Sequence, residues 1–377
     1  MRSEKWAKFL KRPITSTLIA ILCGFVVACI VLALSGFNAI DAMNALGSGI
    51  FGKPKYMLDV LMKSTPIIIT GISVAFAFRT GLFNIGAEGQ YIMGSLAAVV
   101  VGIYLNLPPI IQVPIIILSG MLAGAVWGAI VGFLKSRFGI HEVITSIMLN
   151  WIAFYISNFV AFNDASPFHK FGTNTTYPIN ESGFTMPFYF WKKSAAGVKT
   201  LRSNKALSEL MSVDISYGII IAVVLAFVVS WFLKKTTKGF ELRSVGYNPL
   251  ASKFAGIDVN RSVFRAMMIS GAISGLAGVL VVTGVTPHNI SNLNVFVNNG
   301  FNGMLVALVA SSSPTGCILS GVFFSALIYG GRNIQSELNA PSEIINIMIG
   351  TIVFFVALTK IIPELVNRHK KKRSTNI

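Results

Sequence analysis

Long apolar runs of about twenty residues alternate along the chain with short polar or glycine-rich stretches. A run of that length, coiled as a helix, matches the hydrocarbon thickness of a lipid bilayer. The eighth run is short, which indicates a broken or tilted helix. We predict ten membrane-spanning helices, over about residues 14–35, 64–80, 84–105, 110–134, 142–162, 214–233, 263–284, 301–312, 316–331 and 343–361.

The composition agrees with this pattern. Of the 377 residues, 54% are hydrophobic and only 12% are charged, whereas a soluble domain carries about 25% charged residues. The predicted fold class is therefore an all-α polytopic membrane protein, with one or more helices broken at membrane depth.

The basic residues indicate the orientation of the helices. The formal net charge of +17 would suggest nucleic-acid binding in a soluble protein, but here the Lys and Arg residues cluster at the ends of spans. Cytoplasmic loops carry such an excess, so we predict that both termini are cytoplasmic and that no nucleic acid is bound. The predicted divisions are an interfacial segment 1–13, one membrane domain 14–361 with an external loop 163–213 and a cytoplasmic loop 234–262, and a basic tail 362–377.

The sequence contains no convincing catalytic or metal-binding motif. The stretch "GSGIFGKP" (47–54) has the glycine and lysine spacing of a phosphate-binding loop, but Pro54 replaces the Ser or Thr that would hold magnesium and no strand precedes it. We interpret it as a turn. We find no nucleophile–base arrangement and no metal-ligand spacing among the three cysteines. The sequence thus predicts neither an enzyme nor a metal site.

The stretch "GLFNIGAEGQ" (81–90) places three glycines and several polar side chains between two apolar runs. Unwound backbone at membrane depth is tolerated only where it is buried in protein or lines a cavity, and transporters bind substrates at such breaks. Asn84, Glu88 and Gln90 offer hydrogen bonds there. Two interpretations of Glu88 remain open: an ion pair with Arg79, or a place in a cavity wall.

Two patterns of spaced residues mark helix faces. Glycines recur every fourth residue from Gly120 to Gly132, which allows a neighbouring helix to approach closely. In the fifth span, Glu142, Ser146, Asn150 and Ser157 share one face. Polar residues within a membrane face either a partner helix or a wet cavity, and both interpretations stay open.

The cytoplasmic loop contains a short predicted helix. Asn248 is a good N-cap, Pro249 suits the first helical position, and Gly256 suits a left-handed C-terminal cap. About two turns of helix lie between them, too few to be stable alone. We interpret this helix as a docking element whose apolar contacts are Leu250 and Phe254; an ordinary linker helix is the alternative.

Four stretches occur in the order found in one family: "GLFNIGAEGQYIMGS" (81–95), "EVITSIMLNWIA" (142–153), "ELRSVGYNPLASKFAGI" (241–257) and "GFNGMLVALVA" (300–310). The chain resembles the permease subunits of bacterial ATP-binding-cassette (ABC) importers of the branched-chain amino acid and simple-sugar class. Within that class it is most similar to the nucleoside-uptake permeases that work with a basic membrane lipoprotein receptor. The similarity covers about residues 55–360. It departs at Asn302, where the family pattern has Asp.

This resemblance implies a multi-pass protein of the bacterial cell membrane that forms the translocation pathway for nucleosides by alternating access. Its expected partners are a second permease, two cytoplasmic ATPase subunits that bind ATP and magnesium, and an external solute-binding lipoprotein. The chain itself would hold no cofactor. Candidate substrate-binding residues are Phe83, Asn84, Glu88, Gln90, Asn150 and Asn302, and candidate ATPase-coupling residues are Asn248, Pro249, Leu250, Phe254 and Gly256.

Other functions stay open at this point. Simple sugars such as ribose or galactose, or riboflavin, are alternative substrates within the same class. A stand-alone secondary transporter is a rival of a different class, although it would need no docking helix and the sequence has no evident internal repeat. A membrane scaffold without transport would leave the polar residues of the spans unexplained.

Overall fold

The computed structural model describes residues 13–163 and 165–358. Within those ranges the chain is helical, with one short 3₁₀ turn at Glu181–Gly183 and two isolated β-bridges in place of any sheet. The helices are α1 (Pro13–Leu34), α2 (Ala39–Phe51), α3 (Pro54–Arg79), α4 (Ala87–Tyr104), α5 (Pro109–Phe138), α6 (Glu142–Phe162), α7 (Tyr189–Lys193), α8 (Ala195–Ser203), α9 (Lys205–Met211), α10 (Gly218–Lys235), α11 (Thr237–Tyr247), α12 (Pro249–Phe254), α13 (Val259–Gly284), α14 (Asn299–Val309), α15 (Gly316–Leu338) and α16 (Ser342–Ala357).

Each of the ten predicted spans overlaps one helix, and the chain is an all-α polytopic membrane protein. Within the described residues, six helices (α3, α5, α6, α10, α13 and α15) are long and apolar enough to cross a bilayer. The eighth predicted span is short, as expected: α14 has 11 residues. The basic segments at the two ends, which carried much of the orientation argument, lie largely outside the described residues, so the cytoplasmic placement of the termini stays a prediction.

The turn predicted over 47–54 is wrong for most of its length, because residues 47–51 form the last turn of α2. The Asn38 side chain accepts a hydrogen bond from the Ile40 N–H and starts this helix. The glycines do not break this helix. Gly49 lets it pack closely on α15, because a Cβ at this position would lie 2.6 Å from the Asn333 side chain. Close packing against α15 thus decides the conformation of a stretch whose composition suggests a turn.

The chain divides into two compact units. The first contains, among the described residues, 13–56 and 326–358. In it α1 packs on α16, where a Cβ on Gly24 would lie 2.9 Å from the Ile352 backbone. The Asn333 side chain donates to the Ala45 carbonyl over 2.9 Å and so joins α15 to α2.

The second unit, residues 57–325, is organised around α13, which lies against α4 and α5. The glycine stripe of α5 performs the predicted role: a Cβ on Gly124 would lie 2.8 Å from Cα of Gly275 in α13. Apolar side chains that include Val99, Ile116 and Val279 fill the centre of this unit. The packing of α4, α5 and α13 is the frame on which the functional segments are mounted.

Candidate functional site

The helix break predicted at 81–90 begins where α3 ends. Gly81 adopts a left-handed conformation, with φ of 76°, and the N–H of Leu82 returns to the Ala77 carbonyl over 3.0 Å. A left-handed glycine is the usual end of an α-helix. Gly81 also lies against Gly246 of α11, leaving no room for a Cβ on either residue. Helix α4 then starts at Ala87, so the break spans residues 80–86.

Asn84 and Gln90 face each other across this break. The Asn84 amide donates to Gln90 Oε1 over 2.9 Å and to Ser270 Oγ over 2.7 Å, and Gln90 Nε2 donates back to Asn84 Oδ1 over 3.2 Å. Both side chains are fully buried. Ser270 continues the network to Ser73 of α3. These bonds connect α3, α4 and α13, so the polar groups satisfy one another inside the protein.

Glu88 caps a different helix. Its two carboxylate oxygens accept hydrogen bonds from the main-chain N–H groups of Asn298, over 2.8 Å, and Gly300, over 2.6 Å. These N–H groups lie at the start of α14, where unpaired donors and the positive end of the helix dipole favour an anion. The side chain is fully buried. Glu88 therefore holds the short helix at the break.

The ion pair considered between Glu88 and Arg79 does not form. The Arg79 guanidinium instead donates through Nε to the Ser312 carbonyl over 2.8 Å, just beyond the end of α14. A cation beside the last carbonyls of a helix complements its negative end. The two charged residues consequently contact opposite ends of α14 rather than each other.

Asn150 of α6 bonds the break from another side. Its Oδ1 accepts from the Gly89 N–H over 2.9 Å and its amide donates to the Ile85 carbonyl over 3.1 Å. The polar face predicted on α6 is buried along its length, from Glu142 to Ser157. Here a side chain supplies the hydrogen bonds that an unwound backbone cannot make for itself.

The other two candidate substrate residues lie at the edges of this network. Phe83 stacks at a tilt on Phe78, with ring centroids 5.0 Å apart, and its N–H points to Glu142 at 3.4 Å. Glu142 also forms an ion pair with the ammonium group of Lys135. The Asn302 N–H makes a first-turn bond to the Asn298 carbonyl over 2.8 Å, and its side chain is half-buried.

A cavity of about 170 Å³ lies beside α4, beyond the break, and sequence reasoning missed most of its lining. None of the six candidate residues borders it. Ser157, on the polar face of α6, was the one signal in the sequence that led there. The walls come from α4, α6, α13 and the non-helical segment 285–298, and include Tyr91, Ser95, Ser157, Val282, Asn289 and Leu293.

The short helix α12 has the predicted caps. Asn248 Oδ1 accepts from the Ala251 N–H over 3.0 Å, Pro249 is the first helical residue, and Gly256 is left-handed with φ of 82°. Leu250 and Phe254 are 71% and 94% exposed. A helix of six residues that exposes two large apolar side chains has a surface that no described residue of the chain covers.

Comparisons with known proteins agree with this architecture. Residues 56–357 match the family model of branched-chain amino acid transport system permease components. The chain belongs to this family. Permease components are the membrane-spanning, non-catalytic part of such transporters. No solved structure gives a significant match.

Several curated proteins resemble this permease over nearly its whole length. It is 38% identical to the guanosine ABC transporter permease protein NupP of Bacillus subtilis, over 94% of this chain and 96% of that protein. It is 31% identical to the nucleoside ABC transporter permease protein NupB of Lactococcus lactis, over 95% of this chain and 94% of that protein. The glucose permease protein TsgB13 of Haloferax volcanii is 24% identical, over 90% of this chain and 85% of that protein.

Proposed function

We propose that this permease is one of two membrane subunits of an ATP-driven importer that carries nucleosides into a bacterial cell. The observation that carries the proposal is the 38% identity, over 94% of the chain, to a permease named for guanosine. Relatives named for other substrates support it less: both the glucose permease and a probable riboflavin permease of Treponema pallidum are 24% identical to this chain.

The proposed second subunit is a related permease rather than a copy of this chain. Two B. subtilis proteins named as guanosine permeases, NupP and NupQ, both match the chain, at 38% and 28% identity. The L. lactis proteins NupB and NupC match at 31% and 25%. In each organism one protein is clearly more similar to this chain than the other, which favours two distinct permeases in one transporter.

The proposed ATPase contact is α12. Its exposed Leu250 and Phe254 lie on one face of the helix, four residues apart, and would insert into a groove on a cytoplasmic ATPase subunit. ATP and magnesium would bind to the two ATPase subunits, and movement of α12 would alternate the access of the pathway. A solute-binding lipoprotein outside the cell would deliver the substrate to the external loops.

Reconstitution tests this proposal. The permease is purified with the proposed second permease and ATPase subunits from the same organism, inserted into vesicles with the lipoprotein, and supplied with ATP. We expect uptake of labelled guanosine or adenosine that stops without ATP and is not inhibited by ribose, glucose or riboflavin. Uptake of riboflavin or a sugar in place of nucleosides would refute the substrate. Uptake by this chain alone, driven by an ion gradient, would refute the class of transporter.

A further inference from the structure

An aromatic surface lies where α6 meets the non-helical segment 285–298. Trp151 and Tyr155 of α6 are 45% and 63% exposed. The ring of Phe296 packs against Trp151 with a centroid separation of 4.6 Å, and Trp151 stacks on Tyr155 at 6.1 Å with an interplanar angle of 27°. Phe154 lies beneath these rings, 5.2 Å from Phe296. We call Trp151, Tyr155 and Phe296 the aromatic surface.

The segment that carries Phe296 runs deep into the helical unit. Leu293 is tied by two hydrogen bonds to the Asn158 side chain, and Asn298 is bonded to Glu88. At 1.5 Å per residue, Glu88 lies about 24 Å along α4 from the end of that helix at Tyr104. Asn158 lies eight residues along α6 from Asn150, which bonds Gly89, so residues 293–298 run about 12 Å along the helices, most of a bilayer leaflet, without helical hydrogen bonds.

This segment cannot face lipid. Val295 is 75% exposed and Val297 is 43% exposed, and within the described residues no hydrogen bond reaches the main-chain N–H of Val295 or Phe296. Unpaired backbone donors in hydrocarbon cost several kcal/mol each, so non-helical backbone at this depth either lies against protein or lines water. The aromatic surface adjoins this segment, so it lies beside either a partner protein or a water-filled space.

We propose that the aromatic surface is the wall of the translocation pathway on which the nucleobase of the substrate stacks. The inference rests on the proposed nucleoside function. A nucleobase is flat and has both an apolar face and polar edges, so stacking on the exposed Trp151 and Tyr155 rings and the half-buried Phe296 ring satisfies its face while its edges stay hydrated. Such stacking is tolerant of base identity because every base has a π-face. The ribose then needs no bond to Glu88, Asn84 or Gln90, whose polar atoms are occupied within the protein.

Transport kinetics of reconstituted variants test this. Removing one stacking ring typically costs a factor of about five or more in affinity. Trp151→Leu and Phe296→Leu should therefore each raise the KM for guanosine uptake by at least about fivefold, while Trp151→Phe, which keeps a ring, stays within about twofold of wild type. Phe159→Leu is the matched control, because Phe159 is on the same helix and is 69% exposed but makes no ring contact with Phe296 among the described residues. Its KM should not change.

The outcomes separate this proposal from the one on which it rests. If the wild-type transporter takes up guanosine and both leucine variants keep its KM, the stacking surface is refuted and the nucleoside importer stands. If the leucine variants and Phe159→Leu are impaired alike, a general packing effect replaces the specific one and the surface is again refuted. If the wild-type transporter takes up no nucleoside, the proposed function fails and the nucleobase fails with it as the occupant.

Accessibility gives a second, independent measurement. In a background in which Cys23, Cys29 and Cys317 are replaced by serine, Val295→Cys in the assembled transporter should react with a hydrophilic maleimide. Guanosine should slow that reaction. Val224→Cys is the control, since Val224 is 54% exposed on the apolar span α10 and should stay unlabelled. Failure of Val295→Cys to react would mean that the second permease covers this face, which overturns the proposal.

Discussion

Two regions of the permease hold neighbouring segments of the chain together in different ways. Where α5 meets α13, glycines remove side chains so that two regular helices touch through their backbones, as at Gly124 and Gly275. Around the break at 80–86, the backbone itself is irregular. Asn150 bonds Ile85 and Gly89 there, and the adjacent Glu88 supplies the acceptors for the start of α14. The first region is held by shape and the second by directed bonds.

This difference predicts which substitutions each region tolerates. A glycine contact accepts no added atom, because the obstacle is a backbone that cannot rotate away. A hydrogen-bonded contact accepts a change of shape but not the loss of an acceptor, since a buried donor left unpaired costs about 1–3 kcal/mol. Regular packing suits a frame that stays rigid. A break held by a few bonds suits a segment that has to rearrange.

The largest effect is expected from Gly124→Leu, which tests the shape-held region. The new side chain would meet the Gly275 backbone and force α5 and α13 apart, so the loss should exceed the roughly 1–3 kcal/mol typical of overpacked cores. We expect no folded protein in the membrane fraction. Gly350→Leu in α16 is the matched control, because no atom of the described residues lies within 4 Å of a Cβ there. Normal folding of both variants would disprove the rigid frame.

Glu88→Ala probes the bond-held region and should come next. It leaves the N–H groups of Asn298 and Gly300 without acceptors, so the expected loss is about 3 kcal/mol, measured as the thermal midpoint of the purified complex. Glu88→Gln keeps one carbonyl oxygen and should lose about half as much. Equal midpoints for wild type and Glu88→Ala would show that α14 is held by packing instead. Loss of uptake in Glu88→Gln at wild-type stability would favour the substrate-binding role of Glu88.

Phe254→Ala provides a contrast to both regions, because the Phe254 side chain is 94% exposed among the described residues. Folding should be unchanged, whereas binding to the ATPase should weaken by about 2 kcal/mol, as for an aromatic anchor at an interface. Co-purification of the ATPase with the variant measures this. Phe138→Ala is the control, because Phe138 is also aromatic and 64% exposed but lies at the end of α5. Unchanged co-purification of Phe254→Ala would identify α12 as an ordinary linker.

The smallest effect concerns pH and the start of segment 285–298. His288 is buried against Phe184, with ring centroids 3.7 Å apart, and its Nδ1 lies 3.0 Å from the Val282 carbonyl. Burial lowers the pKa of His288, although the bond to Val282 and the charge of Asp214 oppose the shift and Lys193 adds to it. The neutral ring is therefore favoured in the folded state.

The sign of the pH effect follows from that shift. A locally opened state binds a proton at the ordinary histidine pKa of about 6.5, so the stability of this region is complete above that pH and declines as the pH falls below it. Between pH 7.5 and 5.5, hydrogen exchange around residues 176–185, relative to the intrinsic rate, should rise by at most about tenfold. His288→Phe should abolish this dependence. A rise at alkaline pH instead would contradict the buried neutral ring.

Much of the fold could be predicted from the sequence because bilayer-length apolar runs and helix caps are local signals. The ten helical segments, the short α14, the glycine stripe of α5 and the caps of α12 at Asn248 and Gly256 all follow from neighbours within a few residues. Helix α2 was missed because its glycines make it look like a turn. Its conformation depends on α15, nearly three hundred residues away along the chain.

Less of the candidate site than of the fold could be predicted from the sequence. The sequence by itself determined that a carboxylate, two amides and several glycines lie at a helix break, since composition and spacing are enough for that. Only the tertiary structure decided what they bond: Glu88 contacts the start of α14 rather than Arg79, and Asn84 contacts Gln90 and Ser270. It also brought Trp151 and Phe296 together. Hydrogen bonds and ring contacts depend on distances of a few ångströms between distant parts of the chain, and neither periodicity nor local propensity encodes those distances.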